Sequence, residues 1–312
     1  MENLYDIIIL GGGPASMSAG IYAKQMGLKV LLIEKSAFGG QITTTSTITN
    51  YLGFPEITGA ELSAKMHEHI VSSGIDIVEE EITKAELNTT LKTVHTHTNK
   101  YTAKAVIIGI GTSPRGLGID NEKKYLNKGI SYSTLKDRDN FENKQVAVVG
   151  GGNSAIEDAI FLSEKCEKVH LIHRRQEFRA DRQLVDNLYN LVEEGKIELH
   201  LDYKPHSIKG ETNVEAFTLT HIPTSTTKDI QVDCIFVAIG RNADTDIIDK
   251  EVIRNEQGYI VTNELMETNL QGVYAVGDIR TTPFRQIVTA VSDGAIASLS
   301  AFKYIKEMSK TN

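Results

Sequence analysis

Asp6-Ile7-Ile8-Ile9-Leu10 runs directly into Gly11-Gly12-Gly13-Pro14-Ala15-Ser16, an apolar strand followed by a glycine turn and a helix-forming segment. The same order recurs where Gln145-Val146-Ala147-Val148-Val149 runs into Gly150-Gly151-Gly152-Asn153-Ser154-Ala155. A dinucleotide pyrophosphate requires this context. It needs a tight turn, a backbone bare of side chains where phosphate approaches, and a helix N-terminus aimed at negative charge. One such glycine cluster is weak evidence of a site. Two in one chain predict two bound nucleotides, and with them electron transfer from one to the other.

The residue that ends the following strand reads the adenosine ribose. In the first unit Lys29-Val30-Leu31-Leu32-Ile33 ends at Glu34, and in the second Lys168-Val169-His170-Leu171-Ile172 ends at His173. Both lie 23 residues past the first glycine (34 − 11 and 173 − 150), so one βαβ unit is built twice. Glu34 accepts hydrogen bonds from ribose hydroxyls and repels a 2′-phosphate, which suits FAD or NAD. The second site carries His173-Arg174-Arg175 and then Arg179. Guanidinium groups pair bidentately with phosphate, and two of them favour NADPH over NADH by on the order of a hundredfold. The plainer reading of this cluster is a solvated charged loop, but it falls at the ribose-reading position. Ser16 stands where the fingerprint has Gly or Ala; being only slightly larger, it is expected to be tolerated.

A chain of 312 residues accommodates two α/β domains, and its net charge of −8 excludes nucleic acid as the expected partner. No apolar run reaches the roughly 20 residues of a membrane span, and the first strand begins too early for a signal peptide. These features predict a cytoplasmic protein. The chain has 2 cysteines, Cys166 and Cys234, with no C-x-x-C. Cys234 lies in an apolar strand and is expected to be inert, and Cys166 incidental. The pairs His67/His69 and His95/His97 have the spacing of one strand face but lack a third ligand, so no metal site is predicted.

The pattern predicts an α/β protein with two Rossmann-like dinucleotide-binding domains, the second inserted into the first. Residues 1–115 and 244–312 form the FAD domain, and residues 116–243 the NADPH domain. The first contains a helix near Ala60–Ser73, short strands near Ile75–Thr98, and the strand Ala105–Ile108 before Gly109-Ile110-Gly111. The second ends in the matching strand Ile235–Ala238 before Ile239-Gly240. Crossovers are expected near Ser113–Gly118 and Arg241–Thr245, and paired connections of this kind let domains rotate. The strand Val273–Val276 then meets Gly277-Asp278, and a helix spans about Gln286–Tyr304.

These motifs, with Gly39-Gly40-Gln41 and its following threonines, Asn50, and Arg285-Gln286, resemble the low-molecular-weight thioredoxin reductases over nearly the whole chain. The resemblance implies an FAD- and NADPH-dependent oxidoreductase and a homodimer. It implies that Asp278 holds the ribityl and phosphate side of FAD, with Gly40, Gln41, Asn50 and Gln286 around the isoalloxazine. The FAD set is completed by Gly11, Gly13, Pro14, Ala15, Ser16, Glu34, Lys35, Gly111, Gly277 and Arg285. The NADPH set is Gly150, Gly152, Asn153, Ser154, Ala155, His173, Arg174, Arg175, Arg179, Ile239 and Gly240.

The chain departs from that family at its working part. Where the family places C-x-x-C, this sequence reads Ser133-Thr134-Leu135-Lys136, followed by Asp137. Neither a hydroxyl nor an ammonium undergoes thiol–disulfide exchange, and without a dithiol Asp137 is expected to be a turn or surface residue. The leading expectation is that hydride passes from NADPH to FAD and electrons then reach a ferredoxin, a flavodoxin or a small acceptor. The related ferredoxin/flavodoxin–NADP⁺ reductases share the architecture and lack the dithiol, but carry a C-terminal extension beyond what Asn312 allows. Lys123, Lys124, Lys128, Lys136 and Arg138 would steer an acidic carrier, although Glu122, Asp137 and Asp139 lie among them. Two alternatives stand beside this. A thioredoxin-like or disulfide acceptor could take electrons directly from flavin, or the protein could be a nucleotide-sensing flavoprotein without turnover.

Overall fold

The computed structural model describes residues 4–45 and 48–311. The chain folds as two compact units, Met1–Ser113 with Asn242–Asn312, and Pro114–Arg241. The first unit opens with β1 (Leu4–Leu10), α1 (Pro14–Gln25), β2 (Val30–Glu34) and α2 (Gly59–Ser72). It continues through β3 (Asp76–Glu79), β4 (Ile82–Glu86), β5 (Lys92–Thr96), β6 (Lys100–Ile108) and β7 (Ser113–Pro114). The second unit holds β8 (Ile130–Ser131), α3 (Thr134–Asp137), β9 (Gln145–Val149), α4 (Asn153–Ser163), β10 (Lys168–His173), α5 (Arg182–Glu193) and β11 (Ile197–Leu201). It closes with β12 (Tyr203–Lys209), β13 (Ala216–His221), β14 (Thr227–Gln231) and β15 (Cys234–Val237). The chain returns through β16 (Arg241–Asn242), β17 (Val273–Ala275) and α6 (Ile287–Thr311). β7 and β16 pair as a two-stranded ribbon, so the outgoing and returning connections run together.

The two large sheets share a winding. In the first unit the order runs β3-β2-β1-β6, and in the second β11-β10-β9-β15, all of these pairs parallel. Parallel strands buried on both faces need near-continuous apolar sequence, which Ile7-Ile8-Ile9-Leu10 and Val146-Ala147-Val148-Val149 supply. Alternation then divides each strand between two cores. Ile7 and Ile9 pack with α1 and α6 residues, while Ile8 and Leu10 pack on the opposite face. In the second unit Val146 and Val148 face α4 and α5, and Ala147 and Val149 face the antiparallel sheet β12-β13-β14.

The periodic segments ended where local chemistry stops them. α2 starts at a reciprocal capping box, with Thr58 Oγ1 accepting from Glu61 N and Glu61 accepting from Thr58 N. It therefore carries His67 and His69 on a helix, not on the strand face their spacing was expected to mark, and i,i+2 residues on a helix diverge. α6 extends beyond the expected end at Tyr304, because its continuing buried positions Ala297, Ala301 and Ile305 keep one apolar stripe against the core.

α1 and α6 meet without room for a side chain. Ser18 Oγ donates to Val291 O at 2.7 Å, and Ser298 Oγ donates to Ala19 O at 2.7 Å. A Cβ on Gly294 would stand 2.1 Å from Ala15 O, a backbone atom that cannot swing aside. Gly294→Val is therefore expected to cost about 2–3 kcal/mol in chemical denaturation followed by far-UV circular dichroism. Parent-like stability would refute this close approach.

Candidate nucleotide-binding sites

Each fingerprint is built by the same two contacts, a glycine packed on the strand-end residue and a backbone bond accepted by that glycine. In the first, a Cβ on Gly12 would lie 2.9 Å from Glu34 Cγ and 2.8 Å from Phe38 Cδ1, and Gly39 N donates to Gly12 O at 2.9 Å. In the second, a Cβ on Gly151 would lie 2.1 Å from His173 Nδ1, and Arg179 N donates to Gly151 O at 2.9 Å. The middle glycine of each turn thus packs against the residue ending the next strand. Phe178 stacks on His173 with ring centroids 5.2 Å apart, and Phe38 stacks on His67 at 4.5 Å. Sequence reading missed both phenylalanines, although each follows its strand end by four or five residues.

The last glycine of each turn is open. Among the described residues a Cβ on Gly13 or Gly152 would meet nothing within 4 Å, and these residues precede α1 and α4. Neither helix has a side-chain cap or an acidic residue in its first turn, unlike the capped α2. Unsatisfied N–H groups there, together with the helix dipole, favour an anion. Pro14 takes the N1 position of α1, where its missing N–H costs nothing. The third fingerprint position differs between the sites. Ala155 Cβ would be 2.5 Å from a Cβ on Gly150. Ser16 is fully buried, with its hydroxyl donating to Gly109 O at 3.3 Å, and Gly109 leaves it the space.

Around the first site, Glu34 accepts from Gly12 N at 2.5 Å and from Ser36 N at 3.0 Å and Oγ at 3.2 Å. A carboxylate offers about four acceptor positions, so capacity remains for a ribose hydroxyl. Gln41 Nε2 donates to Asp278 Oδ2 at 3.1 Å and to Thr112 O at 3.3 Å. Asn50 Nδ2 donates to Gln286 Oε1 at 3.2 Å. The first unit thus brings together Gln41 with Asp278, and Asn50 with Gln286. Gly40, Gly111 and Gly277 hold the positive φ angles their turns need. Lys35 is exposed beside Glu34, and Arg285 lies over the Tyr259 ring at 4.3 Å. Thr112 had no motif to signal it.

In the second site Arg174, Arg175 and Arg179 are exposed, and His173 is buried. Burial, followed by the three arginines, holds the His173 imidazole below its usual range, and its Nε2 lies 3.0 Å from Glu177 O. A neutral imidazole among three cations leaves their charge for a phosphate. Asn153 pairs with Asp181 through Nδ2–Oδ2 at 2.7 Å and through its Oδ1, which accepts from Asp181 N at 3.0 Å. Ser154 is exposed on the first turn of α4, Ile239 is half-buried, and Gly240 is exposed with φ +96°.

The segment at Ser133–Lys136 is pinned by hydroxyls and carboxylates. Ser131 Oγ donates to Asp137 Oδ2 at 2.7 Å, and Thr134 Oγ1 donates to Asp158. Asp137 is thus a half-buried acceptor that ties β8 to α3, which corrects its expected role as a turn or surface residue. The Lys136 side chain lies outside the described residues. Arg138 is engaged by Asp139, Glu164 and the Phe161 ring, which withdraws it from carrier steering. Cys166 and Cys234 are free thiols, 9% and 1% exposed, in the core between the sheet and α4–α5. Burial pushes the Cys166 thiol up to about 11 and raises Cys234 well above the ordinary range. Neither forms the thiolate that exchange needs.

One cluster escaped sequence reading. His170 and His200 come together with Glu198 because β10 and β11 pair in parallel register. Their ring nitrogens Nδ1 and Nε2 are 3.0 Å apart, and Lys228 Nζ lies 2.7 Å from His200 Nδ1. Lys228 as donor puts the His200 proton on Nε2, which then donates to His170. The facing nitrogens thus share a proton, the reverse of what a metal asks of them. Burial lowers the pKa of both, that of His200 to about 4. Between that value and the roughly 6.5 of an unfolded histidine, the unfolded chain binds more protons. Stability is therefore full above about pH 6.5 and falls as the pH drops toward 4. Urea denaturation across this range should show that slope, and His200→Gln should flatten it; an unaltered slope would contradict the assignment.

Two Rossmann-like folds, each with an open glycine turn before an uncapped helix and a different residue ending the next strand, define a pyridine-nucleotide flavoprotein type of architecture. The pyridine nucleotide-disulphide oxidoreductase family matches residues 5–294, and the chain belongs to it. It is 37% identical over 315 residues to a thioredoxin reductase of Peptoclostridium litorale, covering 99% of both chains. It is 38% identical over 305 residues to a 34.2 kDa protein in a rubredoxin operon of Clostridium pasteurianum, covering 97% of this chain and 98% of that one. The crystal structure of thioredoxin reductase from Streptococcus pyogenes MGAS5005 superposes with a TM-score of 0.78 at 35% identity, covering 98% of this chain and 100% of the other. Thioredoxin reductases use FAD and NADPH. Among the described residues no helix is long and apolar enough to cross a membrane.

Proposed function

We propose that this protein is an NADPH-oxidising flavoenzyme whose electrons leave the flavin without passing through a redox-active disulfide of its own. The single observation that carries this is the fate of the cysteines. Both are core residues of the second unit, and the stretch Ser133–Lys136 that matches the family's dithiol has none. FAD belongs to the unit containing Gly11–Ser16, Glu34, Gln41, Asn50, Gly277, Asp278 and Gln286. NADPH belongs to the unit containing Gly150–Ala155, His173, Arg174, Arg175 and Arg179. The open backbone at Gly13 and Gly152 and the uncapped helices behind them fit pyrophosphates, and the differing donor sets fit the two riboses.

Bound together, the two nucleotides supply hydride transfer between nicotinamide and isoalloxazine. The chain's own residues bind and orient them. Glu34 accepts from ribose hydroxyls, the arginines pair with the 2′-phosphate, and Asp278, oriented by Gln41, faces the ribityl side. The acceptor we favour is a one-electron carrier protein such as a rubredoxin, ferredoxin or flavodoxin, and the relative encoded in a rubredoxin operon supports it. The second reading, a thioredoxin-like acceptor reduced directly by flavin, draws on the thioredoxin reductases among the relatives.

A panel of rubredoxin, ferredoxin, flavodoxin and thioredoxin, each assayed with NADPH and catalytic enzyme, separates these readings. Turnover with an iron–sulfur or flavin carrier and none with thioredoxin is the expected result; the reverse favours the second reading, and no turnover with any removes both. Arg174→Ala and Arg175→Ala should each raise the KM for NADPH about tenfold while leaving that for NADH nearly unchanged. Equal effects on both nucleotides would refute the 2′-phosphate role.

A further inference from the structure

Behind the Gly277–Asp278 turn lies a buried carboxylate that none of the expected cofactor residues accounts for. Asp293, on the second turn of α6, accepts from Gly277 N at 3.0 Å and from Arg280 Nη1 at 3.3 Å. Both side chains of that ion pair are 12% exposed. Arg280 Nε in turn donates to Thr262 Oγ1 at 2.8 Å. Three separate stretches of the first unit are thereby tied at one point: α6, the turn after β17, and the segment at Thr262. Gly277 sits at φ +69°, and its amide is held by this bond. The next residue, Asp278, presents its carboxylate to Gln41.

A buried carboxylate is costly unless it is paired and hydrogen-bonded. Here burial and the neighbouring Asp278 raise the pKa of Asp293, while Arg280 and the Gly277 amide oppose that shift. A merely stable core would be served as well by an apolar residue at this position. What the carboxylate adds is orientation, since a backbone amide held by a fixed acceptor cannot rotate the turn.

We propose that Asp293, pinned by Arg280, is a positioning residue for the flavin, setting the Gly277–Asp278 turn through the Gly277 amide. This rests on the assignment of FAD to the first unit. It acts through the turn and does not touch the cofactor.

The test is titration of apo-protein with FAD, followed by quenching of flavin fluorescence, for the parent, Asp293→Ala, Asp293→Asn and Arg280→Met. Asp293→Ala should weaken FAD binding about tenfold. Asp293→Asn keeps an acceptor for the Gly277 amide and should stay within about threefold of the parent, with a parent-like melting temperature for the apo form. Rescue by asparagine is what a purely structural ion pair would not give. Parent-like affinity in Asp293→Ala, or affinity in Asp293→Asn as weak as in Asp293→Ala, overturns the proposal. Should Asp293→Ala fail to fold, Arg280→Met decides: about threefold weaker binding supports it, and unchanged binding overturns it. A parent protein that binds no FAD at any concentration overturns the flavin assignment itself and the positioning role with it.

Discussion

Contact between a glycine and the end of the neighbouring strand governs both nucleotide sites. Gly12 lies so close to Glu34, and Gly151 to His173, that any side chain would collide with the residue that ends the next strand. That contact fixes how far the turn stands from the sheet. The turn in turn fixes where α1 and α4 begin, and their uncapped N-termini follow. The strands beneath are rigid because both faces are buried, which a parallel sheet requires. The rest of each unit holds this small arrangement still: α6 against α1 without a gap in the first, and the antiparallel sheet β12-β13-β14 under the second.

The duplicated frame makes its differences informative. Backbone geometry is alike to the level of single hydrogen bonds, as Gly39 to Gly12 and Arg179 to Gly151 show. The side chains diverge in charge. A carboxylate ends β2, whereas an imidazole kept neutral by burial and by three arginines ends β10. Since the frame is shared, the proposed difference in ligand rests on electrostatics at one position, where a single phosphate is worth a large factor in affinity.

Much of this was legible in the sequence because it is local. Glycine spacing, apolar runs and strand-end residues are set by neighbours within a few positions, and Glu34 and His173 end their strands as expected for that reason. The α/β class followed from the alternation of such units. Features that depend on long-range pairing were not legible. The His170–Glu198–His200 cluster exists only through the register of β10 with β11, and Asp293 reaches Gly277 only because α6 folds back over the turn. Asp137 was misread for a related reason: its partner, Ser131, is near in sequence, but a bond between a strand end and a short helix leaves no periodic trace. His67 and His69 show the converse, where spacing alone cannot tell a strand face from a helix.

On the function proposed above, the chain keeps the input half of a family chemistry and passes electrons onward without a dithiol of its own. Thiols buried in a core, with no thiolate within reach of solvent, cannot store the second pair of electrons that a dithiol enzyme holds. The most direct test is an anaerobic reductive titration of the FAD-loaded protein with dithionite, monitored by flavin absorbance. A dithiol-free route predicts that about one two-electron equivalent per flavin completes the reduction. Uptake of a second equivalent, stored in the protein before the flavin bleaches fully, would contradict it.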